Sequence, residues 1–191
     1  MGQYYLPINM DKKQFVHSHS YDNGLKLMEH SWIGNDFVGI VEDLIAEGGA
    51  WHGDRIVWAG DYADEEKNNE ENLYSIIGKD ENEIRPEPTK NKYRYVLNLD
   101  TKEYVDTKKI PLSDVYTDEK GKEWPYIIHP LPLLTCEGNG RGGGDFRKED
   151  SIVGTWARNR VSVSKRKPKG FKEIEFNLFE GDKPVELKTK S

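Results

Sequence analysis

Between Glu137 and Asp145 the chain reads Glu-Gly-Asn-Gly-Arg-Gly-Gly-Gly-Asp, with glycine at 138, 140, 142, 143 and 144. Glycine gives up more backbone freedom on folding than any other residue, so a run this dense belongs to neither a helix nor a packed strand. It predicts a loop. Such a loop lets another group approach the main chain closely, offers successive N–H groups that can converge on an anion, and here carries a guanidinium at its centre. Arg141, Gly142, Gly143, Gly144 and Asp145 are therefore candidate ligand-binding residues. A tight turn packed against backbone or an aromatic ring accounts for the same glycines without a ligand. Neither common phosphate pattern fits, since no Gly-Lys-Ser/Thr ending is present and the stretch that follows is polar rather than helical.

The rest of the composition predicts one soluble domain over 1–180 with a polar tail over 181–191, because 191 residues can bury a substantial core but seldom two. Charged residues make up 32% and hydrophobic ones only 35%, yet aromatics reach 11%, so large rings must carry much of the core. One cysteine, Cys136, excludes an internal disulfide and a cysteine zinc cluster. No apolar run is long enough to span a bilayer and no signal segment opens the chain, which predicts a cytoplasmic protein of its host cell with no membrane partner.

Charge is separated along the chain. From Asp61 to Glu87 ten acids face three bases, a balance of −7, and from Arg158 to Lys172 seven bases face no acid, a balance of +7. Both runs are explained by solvation alone. Taken functionally, Glu65, Glu66, Glu70 and Glu71 form an acidic face that can imitate nucleic-acid phosphate toward a basic protein groove, and the basic run can itself hold phosphate. Arg158 and Arg160 join Arg141 as candidates for an anionic ligand, together with Asp61 and Tyr62 at the end of Trp58-Ala-Gly-Asp-Tyr62.

Periodicity predicts an α+β fold, a largely antiparallel sheet with one well-formed helix. That helix runs from Asp36 to Ala46, with Phe37, Ile40, Val41, Leu44 and Ile45 on one face, Asn35 as its cap and Gly48-Gly49 as its stop. Strands are expected at Gln3–Asn9, Phe15–His17, Arg55–Ala59, Trp124–Ile128, Leu131–Thr135, Ile152–Ala157, Val161–Val163 and Glu173–Phe179. A hairpin is expected where Tyr93 to Leu99 turns at Asp100-Thr101-Lys102 into Glu103 to Asp106. Glu65 to Ile77 has the pattern of a second, acidic helix, within a segment 61–90 that reads as an insertion.

Metal and nucleophile chemistry are weakly signalled. His17 and His19 alternate along one strand, and His30, His52 and His129 are further donors, but no metal-binding spacing links them, so no metal site and no cofactor is assigned. Cys136 beside an apolar run reads as a small buried hydrophobe.

The opening Met1-Gly-Gln-Tyr-Tyr5, then Gly24-Leu-Lys-Leu-Met-Glu-His-Ser31, Trp58-Ala-Gly-Asp-Tyr62, His129-Pro-Leu-Pro-Leu-Leu134 and the glycine run resemble a family of hypothetical proteins of phages, prophages and bacteria. The resemblance implies context rather than chemistry: an accessory protein of a mobile element, where inhibitors of host defence are common. The expected function is therefore binding, either of a host defence protein such as a CRISPR nuclease or of its anionic nucleotide signal, with no direct contact to duplex nucleic acid. A metal-dependent phosphoester or nucleotide hydrolase using Asp61, Asp145 and histidines is the alternative.

Overall fold

The computed structural model describes residues 2–117, 120–139 and 152–178. Arg141, Gly142, Gly143, Gly144, Asp145 and the tail over 181–191 lie outside the described residues. The fold is α+β with antiparallel pairing dominant.

Strand β1 (Tyr5–Asn9) turns into β2 (Gln14–Phe15), and the turn is held by Asn9, whose Oδ1 accepts from the main-chain N–H of Asp11 and Lys12 at 3.0 and 2.9 Å. A short α1 (Leu27–His30) leads to α2 (Asp36–Ile45), where the Asn35 side chain accepts from Val38 N at 3.1 Å and so satisfies a main-chain donor of the first turn. The apolar residues at helical spacing face inward as the pattern predicts, with Phe37, Val38, Ile40, Val41, Leu44 and Ile45 all buried.

Strand β3 (Ile56–Gly60) pairs antiparallel with β1. The acidic stretch after it is not the expected long helix. Residues 65–72 form a loop, and only α3 (Leu73–Ile77) is helical, its start set by the Asn72 side chain accepting from Ser75 N at 3.0 Å. Four neighbouring acids and three asparagines make a poor helix but a good turn.

Strands β4 (Tyr95–Asn98) and β5 (Glu103–Asp106) form the expected hairpin, and β6 (Asp114–Thr117) with β7 (Glu123–Tyr126) forms another. Leu131–Thr135, expected as a strand, lies instead in α4 (Pro130–Thr135). Pro130 occupies the first helical turn, where its missing N–H costs nothing, and His129 Nδ1 accepts from Leu131 N at 3.1 Å. β8 (Cys136–Glu137) then pairs parallel to β3, β9 (Val161–Ser164) antiparallel to β4, and β10 (Lys172–Glu173) parallel to β5. Ile152–Ala157 is a series of turns rather than a strand. The resulting sheets have the orders β2-β1-β3-β8 and β10-β5-β4-β9.

These sheets contain the same unit twice. Asn9-Met-Asp-Lys-Lys-Gln-Phe-Val16 matches Asn98-Leu-Asp-Thr-Lys-Glu-Tyr-Val105 in character at every position but Lys12 against Thr101, and the geometry agrees. Asn98 Oδ1 accepts from Asp100 N and Thr101 N at 3.0 and 3.1 Å, as Asn9 does in its own turn, and Lys13 and Lys102 take φ of 54° and 56°. Asp11 accepts from Arg55 N at 2.7 Å, and Asp100 from Arg160 N at 2.8 Å. Met10 N donates to Arg55 O, and Leu99 N to Arg160 O. Arg55 and Arg160, each just before the third strand of its unit, pair with one another in an antiparallel bridge. Equivalent residues meeting antiparallel relate the two units by a local pseudo-two-fold.

The main core lies between them. β1 and β3 contribute Tyr5, Ile56 and Trp58, the second sheet contributes Val96, Val105, Val161 and Val163, and α2 and α4 complete it. Both sheets are also apolar on their outer faces: Leu6, Ile8, Phe15, Val57 and Ala59 pack under Leu73 and Ile77 of α3, whereas Tyr95, Leu97 and Tyr104 form a separate cluster with Leu99 and Phe171.

Candidate functional site

The parallel strands β3 and β8 end side by side, and the C-terminal ends of adjacent parallel strands are where many open sheets place ligands. At this end two glycines are closely approached by their neighbours. A Cβ on Gly138 would stand 2.2 Å from Gln3 Oε1 and 3.0 Å from the Tyr5 hydroxyl, and one on Gly60 would meet Glu137 O at 3.0 Å. The Tyr5 hydroxyl donates to Gln3 Oε1 at 2.6 Å, so the obstruction is held in place. Packing therefore explains Gly138, the first glycine of the run.

Arg158 closes the same end from the other side. Its backbone has φ of 65°, a left-handed conformation that costs a non-glycine residue about 1 kcal/mol or more. Its N–H donates to Ile56 O at 2.9 Å. The guanidinium is gripped between two carboxylates: Glu137 accepts from Nε at 2.7 Å and from Nη2 at 2.5 Å, and Glu66 accepts from Nη1 at 3.1 Å and from Nη2. Glu137 first, and Glu66 second, hold this arginine even more firmly protonated than usual. Arg158 is thus engaged within the protein, and Arg160 makes its pair elsewhere, with Asp100 at 3.2 Å.

Asp61 continues β3 and shapes the strand end. Its Oδ1 accepts from Tyr4 N at 3.0 Å, its N–H donates to Tyr4 O at 3.0 Å, and its carbonyl accepts from the Asn72 side chain. Tyr62 beside it is exposed.

Of the four acids expected to share one face, Glu65, Glu70 and Glu71 are exposed, whereas Glu66 turns in toward Arg158. The loop is tied by its main chain as well: Glu66 N donates to Glu71 O, Asn69 N to Glu66 O, and Glu71 N to Asn69 Oδ1 at 3.2 Å. Asn72 bonds the carbonyls of Asp61 and Ala63. Among the described residues no basic side chain lies within 4 Å of the carboxylates of Glu65, Glu70 or Glu71.

The histidines disperse. His30 is fully buried, with Nδ1 donating to Gly24 O at 3.0 Å and Nε2 accepting from the Trp58 indole at 3.1 Å, and desolvation pushes its pKa down to about 4. His129 links helices, its Nε2 3.1 Å from Glu42 Oε1. His52 bonds Ile45 O, and His17 accepts from His19 N. Among the described residues no three His, Cys, Asp or Glu side chains gather as a metal-binding set. Cys136 is buried with its thiol donating to Leu133 O, and burial pushes its pKa up to about 12, far from a nucleophile's.

Gln3, Tyr5 and Glu137 are site residues that the pattern of the sequence does not single out; the glycines at 60 and 138, 78 residues apart, are the trace they leave. Among the described residues no helix is long and apolar enough to cross a membrane. Comparison with known proteins finds no matching family model, no similar curated protein and no similar solved structure.

Proposed function

We infer that this chain acts by binding, as a mobile-element accessory protein that presents the loop around Glu65, Glu70 and Glu71 to a basic groove on a host defence protein. The observation that carries the reading is the way the loop is held. Its outward carboxylates have no basic neighbour within 4 Å among the described residues, while its frame is tied by main-chain bonds, by Asn72 and by the Glu66–Arg158–Glu137 cluster. A pre-ordered acidic surface loses little conformational entropy on meeting a basic partner and steers its approach. The nucleotide reading draws less support, because Arg158 and Arg160 are already paired with carboxylates. The hydrolase reading draws less still, since Asp61 is occupied by Tyr4 N and no metal-binding set forms among the described residues.

The test combines a variant with a ligand screen. Glu65→Lys, Glu70→Lys and Glu71→Lys together, with Glu66 left in place, should abolish inhibition of the defence system in an infection assay while the melting temperature stays unchanged. Wild-type affinity for the partner should fall as salt rises. Full inhibition by the triple variant would sink the proposal. Retention of an intact nucleotide from a panel that includes cyclic dinucleotides, detected by mass spectrometry, would replace it with sequestration, and conversion of any member would replace it with catalysis.

A further inference from the structure

The outer face of the second unit is covered in a way that leaves a dense positive surface. Its rings lie beneath cations: Arg94 stands 5.1 Å above Tyr95, Lys102 5.1 Å above Phe171 and Lys167 5.7 Å above Tyr104. Most acids of this region are paired, while Glu103, in register with Lys172, accepts from Thr101 Oγ1 at 2.8 Å. Asp106 holds Arg94 in a two-pronged pair at 2.8 and 2.7 Å, Glu173 holds Lys109 with Lys167 at 4.0 Å, and Asp100 holds Arg160. What remains is a set of exposed cations, Lys102, Lys165, Arg166, Lys169 and Lys172, with no carboxylate within 4 Å among the described residues. They follow one segment, the β9–β10 connection, which runs from the Ser164 end of β9 past Tyr104 to Lys172, whose N–H donates to Lys102 O at 2.8 Å.

We propose that this face, the β9–β10 connection with Lys102 and the ring of Phe171, binds single-stranded nucleic acid. Unneutralised lysines and an arginine on one surface attract a chain of phosphates, and binding gains from release of the counterions condensed on that chain. The half-buried ring of Phe171 favours a single strand over a duplex, because a base can displace the exposed Lys102 ammonium above it, stack on the ring and leave the lysine to a neighbouring phosphate. A duplex keeps its bases stacked on each other and could use only the charges. This face is built on the second sheet and does not involve the acidic loop.

Fluorescence anisotropy of a labelled oligothymidylate of about 20 nucleotides tests it, with a duplex of equal length and heparin as competitors. If the five cations each meet a phosphate, the log–log slope of affinity against salt should be about −3.5, a loss of roughly 100-fold between about 50 and 200 mM. Lys165→Glu, Lys169→Glu and Lys172→Glu together should remove binding, with Lys→Gln at the same positions as a milder version should charge reversal perturb folding. Phe171→Leu, which keeps an apolar contact but removes the ring, should weaken the single strand several-fold and leave heparin competition unchanged. No anisotropy change at low salt, or binding that survives both triple variants, overturns the proposal. Duplex or heparin competing as well as the unlabelled single strand also overturns it, leaving only a general attraction to polyanions.

Discussion

On the first three-stranded unit, the outer face made by Leu6, Ile8 and Phe15 lies under Leu73 and Ile77 of α3. On the second, the equivalent Tyr95, Leu97 and Tyr104 lie beside Phe171 and beneath the ends of Arg94 and Lys167. Position for position these are the same face, offset by 89 residues between Asn9 and Asn98. Where a helix covers it, apolar side chains meet apolar side chains and the contact is finished. Where long cations cover it, their stems shield the rings while their heads stay in water, so the cover itself remains chemically available. Of the three exchanges only Leu6 to Tyr95 adds a ring and Phe15 to Tyr104 keeps one, so the second face carries two rings where the first carries one, and a cation gains from a ring face and nothing from a methyl group.

This contrast can be broken most directly at α3. Ile77→Ala should cost about 2–5 kcal/mol, read from urea unfolding, because the helix is short and its apolar residues are what hold it to the sheet. A loss below about 0.5 kcal/mol, the range of surface substitutions, would mean that α3 is not a true cover. A second difference lies on the inner side, where His30 and Trp58 belong to the first unit alone. Away from the fold an imidazole protonates near pH 6.5, but buried His30 is pushed down to about 4, so between those values the unfolded chain takes up a proton that the folded one refuses. Stability should therefore be complete above pH 6.5 and fall by up to roughly 3 kcal/mol as pH drops to about 4. Half-buried His17 acts in the same direction, so a flatter profile in His30→Gln is needed to assign the effect; an unaltered slope would remove His30 as its cause. The smallest effect belongs to the cationic cover. Lys167→Ala should leave the denaturation midpoint where it was, since its head is solvated and Phe171 still packs beneath, and a clear drop would show that the second face depends on its cations as the first depends on its helix.

Much of the fold is legible in the sequence where one local signal acts alone. α2 declares itself by spacing and by Asn35, and the β4–β5 hairpin by its turn, in which Val96 faces the main core and Tyr95 the outer cluster. The continuous apolar run Pro130 to Thr135 does not, because periodicity cannot separate a buried helix from a buried strand, and the cap that decides it comes from the imidazole of His129. The repeat Asn-x-Asp-x-Lys-x-ring-Val was present in the letters, but its meaning lies in Arg55 and Arg160, which follow at unequal distances. The candidate site was less legible still. Arg158 and Glu66 are 92 residues apart, and opposite charges in the sequence say nothing about which of them meet. Their pairing makes Arg158 a brace for the loop beside it.

Cys136 carries one more consequence. Because the chain has a single thiol, shut between α4 and β3 and poorly ionised where it lies, a maleimide or iodoacetamide can reach it only through molecules that have momentarily opened. The labelling rate is then a clock for that opening, available without mutation or isotope. The thiol also sits in the strand that runs directly into the glycine segment, so a ligand or partner that clamps the strand ends should slow the clock, and one that settles on the far sheet should leave it running.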